Sequence, residues 1–96
     1  MRLEWSHFAL EDRIGIFEYI AKDSVQAAIE VDGAIGRQTR RLSEFPRSGR
    51  PGRVLDAREL VVVGYPYVIA YRVEGEAVRI LRVLHGARRW PDSMPR

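Results

Sequence analysis

The side chains best suited to chemistry lie close together near the end of the chain, in the stretch ILRVLHGARRWP from Ile80 to Pro91. His85 can exchange a proton near neutral pH, and the guanidinium groups of Arg88 and Arg89 can neutralise a phosphate. These three residues could therefore cleave RNA by general acid–base catalysis, and they are the catalytic candidates if the chain is a ribonuclease. Alternatively, His85 only ends a β-strand, with a ring nitrogen bonded to the backbone.

A ribonuclease that uses no metal also needs a second proton-transfer group, which Tyr67 or Tyr71 would have to supply in this sequence. Trp90 leaves two interpretations open as well. Its ring either folds back over the edge of the core or faces a partner, and Pro91 prevents further strand pairing. The stretch is therefore an active site, a docking surface or a plain strand terminus.

Most other kinds of catalytic site are missing from the sequence. It contains no cysteine, which excludes disulfide bonds and thiolate metal ligands. The two histidines, His7 and His85, lie far apart in sequence, and HExxH, P-loop and GxGxxG patterns are absent. None of the five serines lies in a nucleophile-elbow motif. We therefore predict neither a metal site nor a cofactor.

Charge is distributed unevenly along the 96 residues. Residues 1–36 carry three basic and seven acidic side chains, whereas residues 37–96 carry thirteen basic and six acidic ones. Fifteen of the sixteen basic residues are arginine, whose planar fork binds carboxylates and phosphates. The second half therefore suits an acidic protein or a nucleic acid, with a merely solvated surface as the alternative. No apolar run approaches the roughly 18 residues of a membrane span, so we expect a soluble, cytoplasmic protein.

The first half of the chain predicts a short strand, Leu3–Trp5, followed by two helices. Ser6 is the predicted N-cap of the first helix, which should end near Lys22. Its apolar stripe, which is expected to face the core, consists of Leu10, Ile14, Phe17 and Ala21, and Ile16 and Ile20 widen it.

A second helix of roughly 20 residues should begin at Asp23, with Gln26 completing a capping box. Its apolar face is formed by Ala28, Val31, Ile35 and Leu42. Because the link between the two helices is so short, we expect them to form an antiparallel hairpin.

Glycine and proline residues mark a loop at Glu44–Arg53, EFPRSGRPGR, and three strand-like runs follow it. The strands are predicted at Arg58–Val63, Tyr67–Val73 and Glu76–His85, with a tight turn at Glu74–Gly75 between the last two.

The element order β-α-α-β-β-β predicts an α+β fold, in which the helical hairpin covers one face of an antiparallel sheet. The other face should be partly exposed and should carry Tyr67, Tyr71 and the strand arginines. We expect one domain over residues 1–96, with residues 91–96 as a flexible tail.

Taken in order, these segments resemble the RelE/ParE superfamily of toxins from bacterial type II toxin–antitoxin systems. The resemblance runs from LEWS to ARRWP, and the stretches GRPGRV, RELVV, PYVIAYRV and ILRVLHGARRWP look like the ParE-type branch in particular. The superfamily has the β-α-α-β-β-β order that the sequence pattern predicts. Its ParE-type members poison DNA gyrase and block replication, whereas its RelE-type members are ribosome-dependent ribonucleases that cut mRNA.

The positions on which the RelE branch relies for catalysis fall on unsuitable residues in this chain. The resemblance places its basic strand positions on Glu59, Val61 and Val68, which cannot supply the cation or the proton that RNA cleavage needs. Only a C-terminal arginine has a counterpart, in Arg88 or Arg89. The resemblance therefore implies a non-enzymatic gyrase inhibitor, with a ribosome-dependent mRNA endoribonuclease as the alternative. A third, weaker alternative is an RNA- or protein-binding module that has lost toxicity.

A toxin of this kind would be neutralised by a small ParD-like antitoxin, whose C-terminal segment folds as it wraps the toxin along the helical hairpin and the sheet edge. The basic second half of the chain suits such an acidic, partly disordered partner. Neither membrane binding nor direct nucleic-acid binding is expected. We predict that the residues contacting DNA gyrase are Arg58, Tyr71, Arg82, His85, Arg88, Arg89 and Trp90.

Overall fold

The computed structural model describes residues 1–95 and has two helices packed on a β-sheet. The helices are α1 (His7–Ala21) and α2 (Val25–Arg40), and a 3-10 turn follows at Arg41–Ser43. The strands are β1 (Arg2–Trp5), β2 (Arg50–Pro51), β3 (Arg58–Val61), β4 (Tyr67–Glu74) and β5 (Ala77–His85). The predicted α+β fold is confirmed, and β2 is an additional short strand inside the predicted loop.

The strands lie in the order β1-β5-β4-β3-β2 across one sheet. Strands β2 to β5 pair antiparallel, and Gly75, with a positive φ of 58°, lies in the predicted tight turn between β4 and β5. Strand β1 instead runs parallel to β5, with Arg2 opposite Ala77 and Trp5 opposite Ile80. The prediction of an antiparallel sheet is therefore wrong for this pair, because side-chain alternation defines the faces of a strand and not its direction.

Serine side chains cap both helices. Ser6 Oγ accepts a hydrogen bond from the Ala9 amide (3.0 Å) and donates one to the Leu81 carbonyl (2.8 Å), which confirms the predicted cap and ties α1 to β5. Helix α2 is capped by Ser24 and not by Asp23, because Ser24 Oγ accepts the hydrogen bond from the Ala27 amide (3.1 Å). The predicted capping box at Asp23 is therefore wrong.

Only part of the predicted apolar stripe of helix α1 faces the sheet. Its buried residue is Ala9, and Ile16 and Ile20 pack partly against the core. Leu10 and Ile14, which were predicted to be core residues, are 45% and 59% exposed. The prediction fails because α1 is apolar on more than one side, so the spacing alone cannot identify the side that the sheet covers.

The core occupies both faces of the sheet. The cluster on the helical face includes Val31, Ile35, Leu42, Ile69, Val78 and Ile80. On the opposite face, the loop after β2 and the segment after β5 contribute to a smaller cluster of Val54, Ala57, Ala70, Leu81 and Met94. Met94 is only 8% exposed, so the segment predicted to be a flexible tail packs on the sheet as far as this residue. Arg96, the last residue of that prediction, lies outside the described residues.

Tyr71 is fully buried in the helical-face cluster and does not lie on an exposed face of the sheet. Its hydroxyl accepts a hydrogen bond from the Gly49 amide (2.9 Å) and donates one to the Pro46 carbonyl (2.8 Å). These bonds hold the loop before β2 and satisfy polar groups inside the fold. The assignment of Tyr71 to the target-binding set is therefore wrong, because a fully buried ring cannot contact another protein.

Candidate functional site

The segment His85–Trp90, which we call the C-terminal turn, begins at the end of β5. The amide of Gly86 donates to the Pro66 carbonyl at 2.8 Å. His85 Nδ1 accepts a hydrogen bond from the Ala87 amide (3.2 Å), which assigns the proton of the neutral ring to Nε2. This geometry agrees with the interpretation of His85 as a strand terminus whose ring is bonded to the backbone.

Trp90 closes the C-terminal turn. Its Nε1 donates to the His85 carbonyl (3.1 Å), and its ring packs against the smaller core cluster. The guanidinium carbon of Arg53 lies 3.7 Å from the ring centroid, which is a cation–π contact. Of the two predicted interpretations of Trp90, the structure supports the closing of the core edge, and the ring remains partly accessible to solvent.

A buried carboxylate, that of Glu59, holds two arginines from the region of β2. Glu59 is 3% exposed and accepts hydrogen bonds from the Arg53 amide (2.7 Å), from Arg53 Nε (3.2 Å) and from Arg50 (3.1 Å). Burial raises the pKa of Glu59, but the hydrogen bonds from Arg53 and Arg50 outweigh this effect and leave the pKa lowered. The sequence does not indicate this cluster, because Arg53 and Arg50 lie six and nine positions before Glu59 in no recognisable local pattern.

Arg88 and Arg89 lie on the exposed side of the C-terminal turn. Neither guanidinium has a hydrogen-bond or ion-pair partner within residues 1–95. All of their donors are therefore available to another molecule. Together with His85 and Trp90, they are the part of the predicted target-binding set that the structure brings together.

Two strand arginines of the predicted set are instead bonded within the fold. Arg82 forms an ion pair with Asp12 through hydrogen bonds of 2.7 and 2.9 Å, which raise the pKa of Arg82. Arg58 donates to the carbonyls of Arg47 (3.2 Å) and Gly49 (2.9 Å). These bonds stabilise the fold, and the assignment of Arg58 and Arg82 to the target-binding set stays a prediction.

An open cleft beside the C-terminal turn contains groups that a ribonuclease could use. It has a volume of about 540 Å³, and its lining includes Tyr19, Tyr67, His85 and Arg88. The rings of Tyr67 and His85 meet edge to face, with their centroids 5.7 Å apart. Of the two tyrosines that were considered as a second proton-transfer group, Tyr67 is therefore placed beside His85 and the buried Tyr71 is not.

The positions that correspond to RelE-branch catalytic residues lie near one another on β3 and β4. Val61 stands directly opposite Val68, which is 4% exposed. Glu59, two residues before Val61, lies on the same face of β3 and is bonded to Arg50 and Arg53. This part of the sheet therefore presents two valines and a carboxylate whose charge is already compensated.

The outer side of the helical hairpin forms a second candidate surface, which we call the hairpin groove. It has a volume of about 400 Å³ and is lined by Leu10, Arg13, Ile14, Phe17, Glu18 and Asp32. Arg13 and Asp32 form an ion pair that joins α1 to α2, with two hydrogen bonds of 2.9 Å. Around this pair the groove is apolar, because it contains the stripe that was predicted to face the core.

Within residues 1–95, no group of three or more His, Cys, Asp or Glu side chains is arranged so that it could hold a metal ion. In the same part of the chain, no helix combines the length and the apolar character that crossing a membrane requires.

Comparison with known proteins identifies related sequences over almost the whole chain. Residues 3–90 match the family described as "ParE toxin of type II toxin-antitoxin system, parDE". Protein Y4kP of Sinorhizobium fredii is 43% identical over 93 residues, which cover 97% of this chain and 96% of that protein. Toxin RelE2 of Caulobacter vibrioides is 39% identical over 84 residues, which cover 88% of this chain and 93% of that protein.

A solved structure agrees with the sequence relatives. The structure described as the chromosomal ParDE toxin–antitoxin system from P. aeruginosa contains a chain that matches with a TM-score of 0.78 and 28% identity. The match covers 86% of this chain and 92% of that chain. The chain therefore belongs to the ParE family and is a toxin of a type II toxin–antitoxin system.

Proposed function

We propose that this toxin inhibits DNA gyrase in the cytoplasm, and so blocks replication, through contacts made by the C-terminal turn. The observation that supports this proposal is the exposure of Arg88 and Arg89, whose guanidinium groups have no partner within residues 1–95, beside the partly accessible ring of Trp90. Arginine and tryptophan are enriched among the residues that dominate the binding energy of protein–protein interfaces. A guanidinium can also form two parallel hydrogen bonds with a carboxylate. The turn therefore suits an acidic surface on a target protein.

The sheet beside the turn favours a protein target over RNA. Val61 and Val68 carry no charge, and the carboxylate of Glu59 offsets one of the two positive charges of Arg50 and Arg53. RNA cleavage needs cations that can approach the scissile phosphate and the phosphates around it. Valine at positions 61 and 68 and a carboxylate at position 59 cannot supply those cations, and this supports gyrase inhibition over nuclease activity.

Ribosome-dependent mRNA cleavage is the second candidate, and the cleft that contains His85, Tyr67 and Arg88 favours it. His85 Nε2 could exchange a proton, while Arg88 stabilised the phosphate charge. One of the relatives is named toxin RelE2. His85 Nδ1, however, is engaged by the Ala87 amide, so only one nitrogen of this ring is free for proton transfer.

We also propose that a ParD-like antitoxin neutralises the toxin by binding in the hairpin groove. Leu10 and Ile14 are large apolar residues that are about half exposed on α1, with Phe17 beside them in the groove. An amphipathic helix that binds in a groove places its apolar face on such a stripe. The ion pair between Arg13 and Asp32 would supply polar groups in the groove that fix the orientation of the bound helix.

Two assays run in parallel separate the candidate targets. Purified toxin is added to DNA gyrase in a supercoiling assay and to translating ribosomes that carry a defined mRNA. We expect loss of supercoiling, accumulation of cleaved gyrase–DNA complexes, relief of both effects by the antitoxin, and intact mRNA. Cleaved mRNA together with normal supercoiling would support the second candidate, provided that a folded His85→Ala variant no longer cleaves.

A further inference from the structure

We propose that Arg53 is a positioning residue that fixes the C-terminal turn for target binding, an inference that rests on the proposed role of that turn. Arg53 precedes Gly86 by 33 positions in the sequence, yet it contacts the turn at two points. Its Nη1 lies 3.4 Å from the Gly86 carbonyl oxygen, and its guanidinium carbon lies 3.7 Å from the centroid of the Trp90 ring. One side chain therefore bridges the beginning and the end of the turn.

The two contact points of Arg53 enclose the residues that we assign to the target. Gly86 precedes Arg88 and Arg89 in the turn, and Trp90 follows them. Because the side chains of Arg88 and Arg89 have no partner within residues 1–95, only their backbone sets where they lie. That backbone is anchored at both ends of this short segment, and Arg53 takes part in both anchors.

Glu59 determines where the Arg53 guanidinium can lie. Its carboxyl side chain is 2% exposed and accepts both the amide (2.7 Å) and Nε (3.2 Å) of Arg53. A buried carboxylate without partners is strongly unfavourable, so the conformation in which the Arg53 guanidinium binds Glu59 is favoured. The edge of the guanidinium then binds Glu59 while its plane stacks on Trp90. A lysine has no planar fork and cannot make both contacts in this way.

Arg50 provides a matched control. It lies three positions before Arg53, carries the same charge and also binds Glu59, at 3.1 Å. Within residues 1–95 its side chain forms no hydrogen bond to Gly86 and no cation–π contact with Trp90. If these arginines acted only by neutralising Glu59 or by their positive charge, removal of either one would have similar effects. A positioning role affects the turn only when Arg53 is removed.

The test compares Arg53→Ala with Arg50→Ala in the full-length toxin, in a Trp5→Phe background that leaves Trp90 as the chain's single tryptophan. Hydrogen exchange of the Trp90 indole N–H, followed by NMR, measures how firmly the turn is held. Gyrase inhibition and growth arrest measure activity, and thermal unfolding measures the fold. For Arg53→Ala we expect indole exchange about tenfold faster and inhibition about tenfold weaker, with a cooperative unfolding transition retained. For Arg50→Ala we expect changes below about twofold.

Indole exchange that is unchanged in Arg53→Ala, or equal effects of the two variants, would overturn the inference. Full activity combined with fast indole exchange would overturn it too, because the turn would then be loose and still functional. If the wild-type toxin arrests growth but does not inhibit gyrase, only the proposed target is contradicted. Growth arrest by the Arg53→Ala and Arg50→Ala variants would then test the positioning role of Arg53. If Arg53→Ala does not fold, the pair Arg53→Lys and Arg50→Lys is compared, with the same expectations.

Discussion

Asp12 and Arg82 form an ion pair with hydrogen bonds of 2.7 and 2.9 Å, which joins helix α1 to strand β5. Asp12 Oδ2 also accepts the backbone N–H of Val83 at 2.9 Å. Strand β1 pairs with β5 only as far as Ile80, so the carboxylate occupies part of the strand edge that β1 leaves open. Asp12 therefore satisfies this edge and also engages an arginine that sequence analysis assigned to the target.

Replacement of Asp12 by alanine should lower the free energy of unfolding by about 2 kcal/mol. The variant leaves the Val83 amide and the partly buried Arg82 without their partner. Urea unfolding at neutral pH measures the difference. Arg2→Ala, which removes an exposed ion pair with Glu4, should change the stability by less than about 0.5 kcal/mol. Equal losses in the two variants would show that the contact at the β5 edge has no special role.

Glu59 should give the stability of the toxin a specific dependence on pH. Burial raises its pKa, but the hydrogen bonds from Arg53 and Arg50 outweigh burial, so the folded-state pKa lies below the ordinary value of 4.5. Ionised Glu59 therefore adds stability above about pH 4.5, and this contribution is lost as the pH falls through the folded-state pKa. In Glu59→Gln the contribution is absent, so stability should fall less steeply with acidification than in the wild type.

Urea unfolding midpoints measured from neutral to acid pH test this expectation. Glu44→Gln, which changes an exposed glutamate, is the control and should follow the wild-type curve. Parallel curves for the wild type and Glu59→Gln would mean that the buried carboxylate contributes nothing to the acid dependence of stability.

Ile14→Glu should separate neutralisation from toxicity. Ile14 is 59% exposed in the hairpin groove, so the change should leave the fold intact while it places a charge on the surface proposed for the antitoxin. We expect antitoxin binding, measured by calorimetry, to weaken by about tenfold or more and gyrase inhibition to remain. Leu55→Glu is the matched control, because Leu55 is 85% exposed in the loop between β2 and β3, away from the helices. Unchanged affinity in Ile14→Glu would place the antitoxin elsewhere.

Local chemistry was sufficient to predict much of the fold. The cap at Ser6 and the tight turn at Gly75 depend on residues close in sequence, and the order of helices and strands follows from them. The covered side of α1 depends instead on packing across the chain. Leu10 and Ile14 have the spacing of core residues, but the sheet covers the side that contains Ala9. Because α1 has apolar residues on two sides, the sequence does not indicate which side the sheet covers.

The candidate site was predictable only where its residues are adjacent. His85, Arg88 and Arg89 stand within one short stretch, so the sequence alone indicates them. The contacts of Arg53 with Glu59 and Trp90 combine three distant parts of the chain and leave no pattern in the sequence.

Tyr71 was misplaced for a different reason. Strand β4 is buried on both sides from Val68 to Tyr71, so polar and apolar residues do not alternate in the way that would mark a solvent-facing side. The hydroxyl of Tyr71 suggested exposure, but the loop before β2 supplies the Gly49 amide and the Pro46 carbonyl as buried partners. Sequence patterns could not reveal these partners, because they come from a separate part of the chain.

The central claim is tested most directly by the concentration of toxin that inhibits gyrase supercoiling in the double variant Arg88→Ala/Arg89→Ala. The matched control is Arg40→Ala/Arg41→Ala, which removes another adjacent pair of exposed arginines at the end of α2. We predict that the first variant, folded and still bound by the antitoxin, needs about 100-fold more protein for half inhibition, whereas the control matches the wild type. Wild-type inhibition by a folded Arg88→Ala/Arg89→Ala toxin would contradict the account.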